Sequence, residues 1–195
     1  MPRSIQEMVD TVNALPKPVE LPCLLESLPR PLEVYATLST LSAQQSFDRA
    51  SPRIFLFADP LIVSVVPVGF GAPLLEMAEQ RAVGRSIKAE LEFPVEAELT
   101  PAAPFEQVLF NGTNTSCAFC HAQETMVEDL AFTQVFESAS LRPVPSQKVA
   151  LEELIRTTEA CDAVAEPERC DMVQAIFGQG GVTHRDFPAA FDIFD

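Results

Sequence analysis

Residues 86–99 read Ser86-Ile87-Lys88-Ala89-Glu90-Leu91-Glu92-Phe93-Pro94-Val95-Glu96-Ala97-Glu98-Leu99. Apolar residues recur at every second position from Ile87 to Leu99, and Lys88, Glu90, Glu92, Glu96 and Glu98 fall between them. A period of two is that of a β-strand with one face toward a core and the other toward water, so this stretch predicts a half-buried antiparallel strand. Pro94 sits on the polar parity at its midpoint. Proline cannot donate to a strand ladder, so it marks an edge or splits the run in two.

The same language continues toward the N-terminus. Residues 32–41 alternate roughly, and 53–58 and 61–66 are β-branched and aromatic runs, with turn signals at Asp59-Pro60 and Gly69-Phe70-Gly71. Strands at this spacing predict an antiparallel β-sandwich-like domain over residues 19–100. Before it, Ser4-Ile5-Gln6-Glu7 has the pattern of a capping box, which opens a helix to about Leu15. Pro16, Pro18 and Pro22 end that helix and keep the next stretch extended, so residues 1–18 read as a helix and tether.

Toward the C-terminus, Thr100-Pro101-Ala102-Ala103-Pro104 is proline-rich and without periodicity, and we place a domain junction there. Beyond it helical patterns cover residues 127–139, 146–161 and 166–177, with Gly178, Gly180 and Gly181 as a stop. The expected class is α+β, a β-sandwich-like domain followed by a small all-helical domain over residues 101–195. Residues 182–195 are aromatic enough to cap a core, through Phe187, Phe191 and Phe194.

Cys117-Ala118-Phe119-Cys120-His121 carries the most specific chemistry in the chain. Cys-x-x-Cys-His is the attachment signature of c-type haem: two thiols three positions apart can add to the two vinyl groups of one haem, and the next histidine can ligate the iron. Cys117 and Cys120 would attach covalent haem c and His121 would be the proximal iron ligand. The same spacing also serves a local disulfide, a redox dithiol activated by His121, or half of a zinc site. Zinc would need Cys161 and Cys170 as its second pair, and their eight-residue gap departs from a zinc knuckle. The dithiol lacks the βαβ pattern in which such motifs usually sit.

Upstream, Pro104-Phe105-Glu106-Gln107-Val108-Leu109-Phe110-Asn111-Gly112 reads as a short amphipathic helix closed by a turn, with Phe105, Val108 and Leu109 on one face. From Phe105 to about Glu124 the sequence resembles the class I c-type cytochromes, in which a short helix with an apolar pair and a glycine leads into the haem-binding pentapeptide. The resemblance implies a cytochrome c-like domain that carries single electrons between partners. That family places its distal methionine in a Met-Pro step; this chain has Phe187-Pro188. His184, the second of two histidines, and Met172 are the candidate distal ligands, while Met126 lies too close to His121 to reach across. An open distal position would favour small-ligand binding over electron transfer.

The chain's 195 residues suffice for one large or two small domains. It is 47% hydrophobic and 21% charged, a globular balance. No apolar run is long enough to span a membrane. The net charge of −15, with only 13 basic residues, excludes nucleic acid and anionic lipid as natural partners and suits a basic redox partner protein. Acidic excess is greater in residues 101–195, with 15 acidic and 5 basic residues, than in 1–100, with 13 and 8.

The five cysteines are an odd number, so complete internal pairing is impossible. Cys161 and Cys170 flank a polar turn between two helical patterns, which predicts a disulfide that staples a helix hairpin and leaves Cys23 over. Haem attachment and stable disulfides belong outside the cytoplasm, so we expect a periplasmic or secreted protein whose export leader precedes the chain given. Without haem, the expectation is an exported, disulfide-stabilised binding or structural module. Asn111-Gly112-Thr113 and Asn114-Thr115-Ser116 match the glycosylation acceptor pattern and read as a polar turn. No phosphate-binding glycine loop, His-Glu-x-x-His or serine elbow occurs.

Overall fold

The structure, a computed structural model, describes residues 1–110, 112–128, 130 and 133–193. Along the chain lie α1 (Ile5–Asn13), α2 (Leu21–Ser27), β1 (Leu32–Thr37), β2 (Arg53–Ala58), β3 (Leu61–Val65), β4 (Leu74–Ala82) and β5 (Arg85–Glu92). There follow α3 (Ala103–Glu106), β6 (Leu109–Phe110), β7 (Asn114–Thr115), β8 (Thr125–Val127), β9 (Val135–Ala139), β10 (Leu141–Arg142) and β11 (Lys148–Val149). The last elements are α4 (Leu151–Glu159), α5 (Pro167–Val173), β12 (Val182–His184) and β13 (Asp192–Ile193).

One large sheet dominates. Among the described residues it has nine strands in the order β11-β1-β2-β3-β4-β5-β9-β8, with β12 beside β1 as well. Every pairing in it is antiparallel except β1 with β12. Among the described residues the fold is thus mixed α/β, with a mostly antiparallel sheet and five short α-helices.

Side-chain alternation gives the sheet two different faces. On the first, Val34, Leu56, Val63, Met77 and Ile87 belong to one core cluster with residues of the helices. Ile5, Met8 and Val12 of α1 and Leu24 and Leu25 of α2 bury there, as do Leu154 of α4 and Met172 of α5. Ser4 caps α1 by accepting from the Glu7 amide at 3.1 Å, as the sequence predicts. Pro22 does not break the chain: it stands in the first turn of α2, where its missing N–H costs nothing.

Strand β5 and its continuation follow the predicted alternation on the apolar parity as far as Val95. Ile87, Ala89, Leu91, Phe93 and Val95 are all buried. The ladder ends at Glu92, before Pro94, and Val95 resumes pairing through an isolated bridge to Val19, with N–O distances of 3.0 and 2.9 Å. Pro94 therefore splits the run. Strand β4, missed in the sequence because Glu76, Glu79, Gln80 and Arg81 obscure its period, pairs along most of β5.

The C-terminal half corrects several expectations. The described residues do not form an all-helical unit: β8, β9, β11 and β12 join the large sheet, which draws strands from both sides of the proline-rich segment. Residues 127–139 were expected to be helical, yet Val135–Ala139 is a strand beside β5, where Val135, Phe136 and Ser138 are buried against the sheet. Part of that predicted helix, residues 129, 131 and 132, lies outside the described residues, as do Asn111 of the first acceptor pattern and Phe194. The helix expected over residues 104–112 stops at Glu106, because Leu109–Phe110 pairs with Asn114–Thr115. Helix α4 starts at Leu151 because Lys148 and Val149 pair with Thr37 and Ala36 of β1.

Cys161 and Cys170 form the expected disulfide, with Cα atoms 5.7 Å apart, between α4 and α5. Its nine-residue sequence separation limits the loop entropy it removes, so replacing both cysteines by serine should cost about 3 kcal/mol. Urea denaturation of wild-type and doubly substituted chains checks this.

Candidate functional site

The second face of the sheet is built differently. Near β1 and β2 it carries a largely aromatic apolar cluster, Tyr35, Phe57 and Phe191 with Ile62, and Phe55 and Phe187 pack against it. Phe187 meets Tyr35, Phe55 and Phe57 edge-on at centroid distances of 5.2, 4.9 and 5.0 Å. It is carried by a C-terminal strap tied down where β13 pairs with β10 and where Arg142 Nε donates to the Phe191 carbonyl at 2.9 Å. Toward β3, β4 and β5 the face turns polar, through Ser64, Glu76, Gln80, Ser86, Lys88 and Glu90.

Between these regions opens a cleft of about 190 Å³, floored by β2 to β5. Cys117, Cys120 and His121 line it, together with Phe55, Ile62 and Phe187. The presumed solvent face of β5 is therefore covered: Ser86 and Lys88 are 0% and 6% exposed.

The Cys-x-x-Cys-His segment is held from three directions. The β6–β7 hairpin leads into it, and the Ser116 amide donates to the Val108 carbonyl at 2.8 Å. Residues Ser116–Phe119 form a 3-10 turn capped by Thr115, whose hydroxyl accepts from the Cys117 amide at 3.2 Å. The turn closes with the Cys120 and His121 amides donating to the Cys117 carbonyl at 3.1 and 2.8 Å. Thr115 is anchored in turn by donating to the Glu124 carboxylate through its amide (2.8 Å) and its hydroxyl (2.5 Å).

His121 Nδ1 lies 2.9 Å from the Ala139 carbonyl oxygen. A carbonyl only accepts, so Nδ1 carries the proton and Nε2 keeps a free lone pair. Burial, with the nearby Lys88 charge, pushes the imidazole pKa down to about 3, so the ring is neutral at ordinary pH. Burial pushes the Cys117 thiol up to about 11, with Glu76 and Glu90 adding to the rise. Cys117 is thus a protonated, weakly nucleophilic thiol, whereas Cys120 is exposed.

A charged network lies under the cysteines. Arg53 pairs with Glu76 and donates to Ser42 Oγ at 2.6 Å and Ser64 Oγ at 2.9 Å. Gln44 accepts from Ser64 at 2.7 Å and donates to the Leu74 carbonyl at 2.7 Å, which fixes the residue 38–52 loop as one wall. Gly71 permits this approach: a Cβ there would lie 2.9 Å from the Ala43 carbonyl oxygen and from Gln44 Cα. Lys88 Nζ donates to Ser86 Oγ and, at 3.4 Å, to the Ala139 carbonyl. Burial lowers its pKa to about 8, while burial and the Glu76 charge raise Glu90 to about 7.

Cys117, Cys120 and His121 therefore line one cleft. The distal candidates do not: neither His184 nor Met172 lines it. His184 Nε2 lies 2.6 Å from Lys148 Nζ and 2.9 Å from Asp186 Oδ1, on β12. Met172 is buried in the helical core on the other face. Among the described residues no group of three or more His, Cys, Asp or Glu side chains is arranged to hold a bare metal ion, and Cys161 and Cys170, the second pair the zinc alternative needs, are joined in a disulfide. Cys23 is a free, exposed thiol on α2. Lys88 and Glu90 escaped sequence reasoning because their polar parity reads as a solvated face, and Glu76 because β4 itself was missed.

No described helix is long and apolar enough to cross a membrane. No family model matches the chain, and no curated protein and no solved structure matches it either.

Proposed function

We propose that the cleft is the attachment site of one c-type haem and that the protein is an extracytoplasmic single-electron carrier. The observation that carries this reading is that Cys117, Cys120 and His121 line one cleft while His121 Nδ1 donates to Ala139, which leaves Nε2 as a ligand. Bound haem would supply a one-electron iron couple. Cys117 and Cys120 would provide the two thioether sulfurs, and the neutral His121 imidazole the iron ligand, with no proton to lose first. Phe55, Ile62 and Phe187 supply apolar surface beside them. At about 190 Å³ the cleft is smaller than the roughly 300–1,000 Å³ of sites that enclose a whole ligand, so it would take part of the group.

The net charge of −15 suits a basic redox partner docking by charge complementarity. The Cys161–Cys170 disulfide is compatible with export. A second reading, a dithiol that closes to a disulfide, draws on the one-turn spacing of Cys117 and Cys120 and the exposure of Cys120.

Intact mass under denaturing conditions tests the proposal, on protein exported by a host with haem-attachment machinery. One added haem mass, lost when Cys117 and Cys120 are both changed to serine, is the expected result. No haem mass, with Cys117 and Cys120 joined in a second disulfide that opens and closes reversibly with dithiol reagents, would overturn it in favour of the dithiol.

A further inference from the structure

We infer that the cleft, where no haem is attached, is a binding site for a small aromatic carboxylate, whose carboxylate is received by Lys88 and whose ring packs against Phe55, Phe187 and Phe191. The inference rests on the haem-free cleft and stands apart from the reading of the cysteines.

Lys88 is the first observation. Its side chain lies in the cleft floor, the residue is only 6% exposed, and among the described residues it has no ion-pair partner. An ammonium has three donors; Ser86 Oγ and the long contact to the Ala139 carbonyl occupy two. A buried cation without a counter-ion is costly: burial already lowers the Lys88 pKa to about 8, and an anion seated against its remaining donor would offset that cost.

The surrounding charges favour an anion. Arg53 and Glu76 neutralise each other. Glu90, whose ionisation is held back to about pH 7 by burial and by Glu76, offsets Lys88 only in part. Arg142 also lines the cleft, and its Nε is engaged with the Phe191 carbonyl. Lys88 and Arg142 thus place two cationic side chains in the lining of this cleft, inside a protein of net charge −15.

Size and walls define the rest of the ligand. An apolar cavity of roughly 150 Å³ accepts benzene. The cleft, at about 190 Å³, has room for one ring and a short acidic arm. Phe187 already makes edge-on contacts with Phe55, so a further ring can join the cluster in the same geometry.

The chain has three lysines, Lys17, Lys88 and Lys148, which makes the site easy to isolate. Calorimetric titration of the full, haem-free chain with phenylacetate and with its neutral analogue 2-phenylethanol should show at least tenfold tighter binding of the acid. Lys88→Met should abolish that preference, Lys88→Arg should retain it, and Lys148→Met should leave it unchanged. Equal affinity for the two compounds, or an undiminished preference in Lys88→Met, would overturn the inference. A readout on the unaltered chain guards against a variant that fails to fold: phenylacetate should slow acetylation of Lys88 by acetic anhydride and spare neither Lys17 nor Lys148. Unchanged acetylation of Lys88 at saturating phenylacetate would also refute it. All of these use haem-free protein, so a colourless exported chain does not affect them and a failed titration does not bear on haem attachment.

Discussion

Acidifying the haem-free chain below about pH 4.5 should destabilise it steeply, and His121→Gln should remove most of that loss. The folded imidazole has its pKa depressed to about 3 by burial and Lys88, against about 6.5 in the unfolded chain. Between those values the unfolded state binds the proton and the folded state does not. His121 therefore contributes stability that is complete above pH 6.5 and lost as pH falls to 3, on the order of 3–5 kcal/mol in all. Glu90 acts in the opposite sense. Its folded pKa is raised from 4.5 to about 7, so between pH 7 and 4.5 the folded state binds the extra proton and acidification favours folding. The two largely offset each other from 6.5 to 4.5, and below 4.5 the His121 loss stands alone. Urea midpoints measured from pH 7 to 3 should be nearly flat and then fall. In Glu90→Gln the fall should begin near pH 6.5. In His121→Gln, whose amide can still donate to Ala139, it should be much weaker; an unchanged profile there would refute the assignment.

Leu56→Ala should cost 2–5 kcal/mol, measured by urea unfolding at neutral pH. Leu56 is fully buried at the centre of β2, between Val34 on β1 and Val63 on β3, on the face covered by the helices. Neighbours on both flanking strands and the helices above leave little room to collapse into the void. Phe110→Ala supplies the contrast: Phe110 is 47% exposed, so its loss should change stability by no more than about 0.5 kcal/mol. A cost below 1 kcal/mol for Leu56→Ala would mean that the sheet and the helices do not form one core.

The sheet was legible where one face is apolar and the other polar. Residues 53–58 match β2, 61–66 match β3 to within a residue, and Pro94 splits the last run as its missing donor requires. The Cys161–Cys170 staple was legible because the two cysteines flank a polar turn between two helical patterns. The second half was less legible because its strands are two to five residues long, too short for a period to declare itself, and are fixed by partners distant in sequence. Val149 pairs with Ala36, and Val182 with Leu32. The Cys-x-x-Cys-His triplet was visible in the sequence, whereas the cleft around it was not. Lys88 and Glu90 alternate with core residues as solvated charges do, and only the hairpin, the turn and the strap laid over them make that face an interior.

The visible absorption spectrum of the chain, exported by a host with haem-attachment machinery and recorded oxidised and then reduced, tests the central claim most directly. Sharp reduced bands that survive acid-acetone extraction in the wild type, and are extracted from the Cys117→Ser, Cys120→Ser chain, are the predicted result. A colourless wild-type protein with folded-state disulfide content intact would contradict haem attachment and leave a disulfide-stabilised binding module.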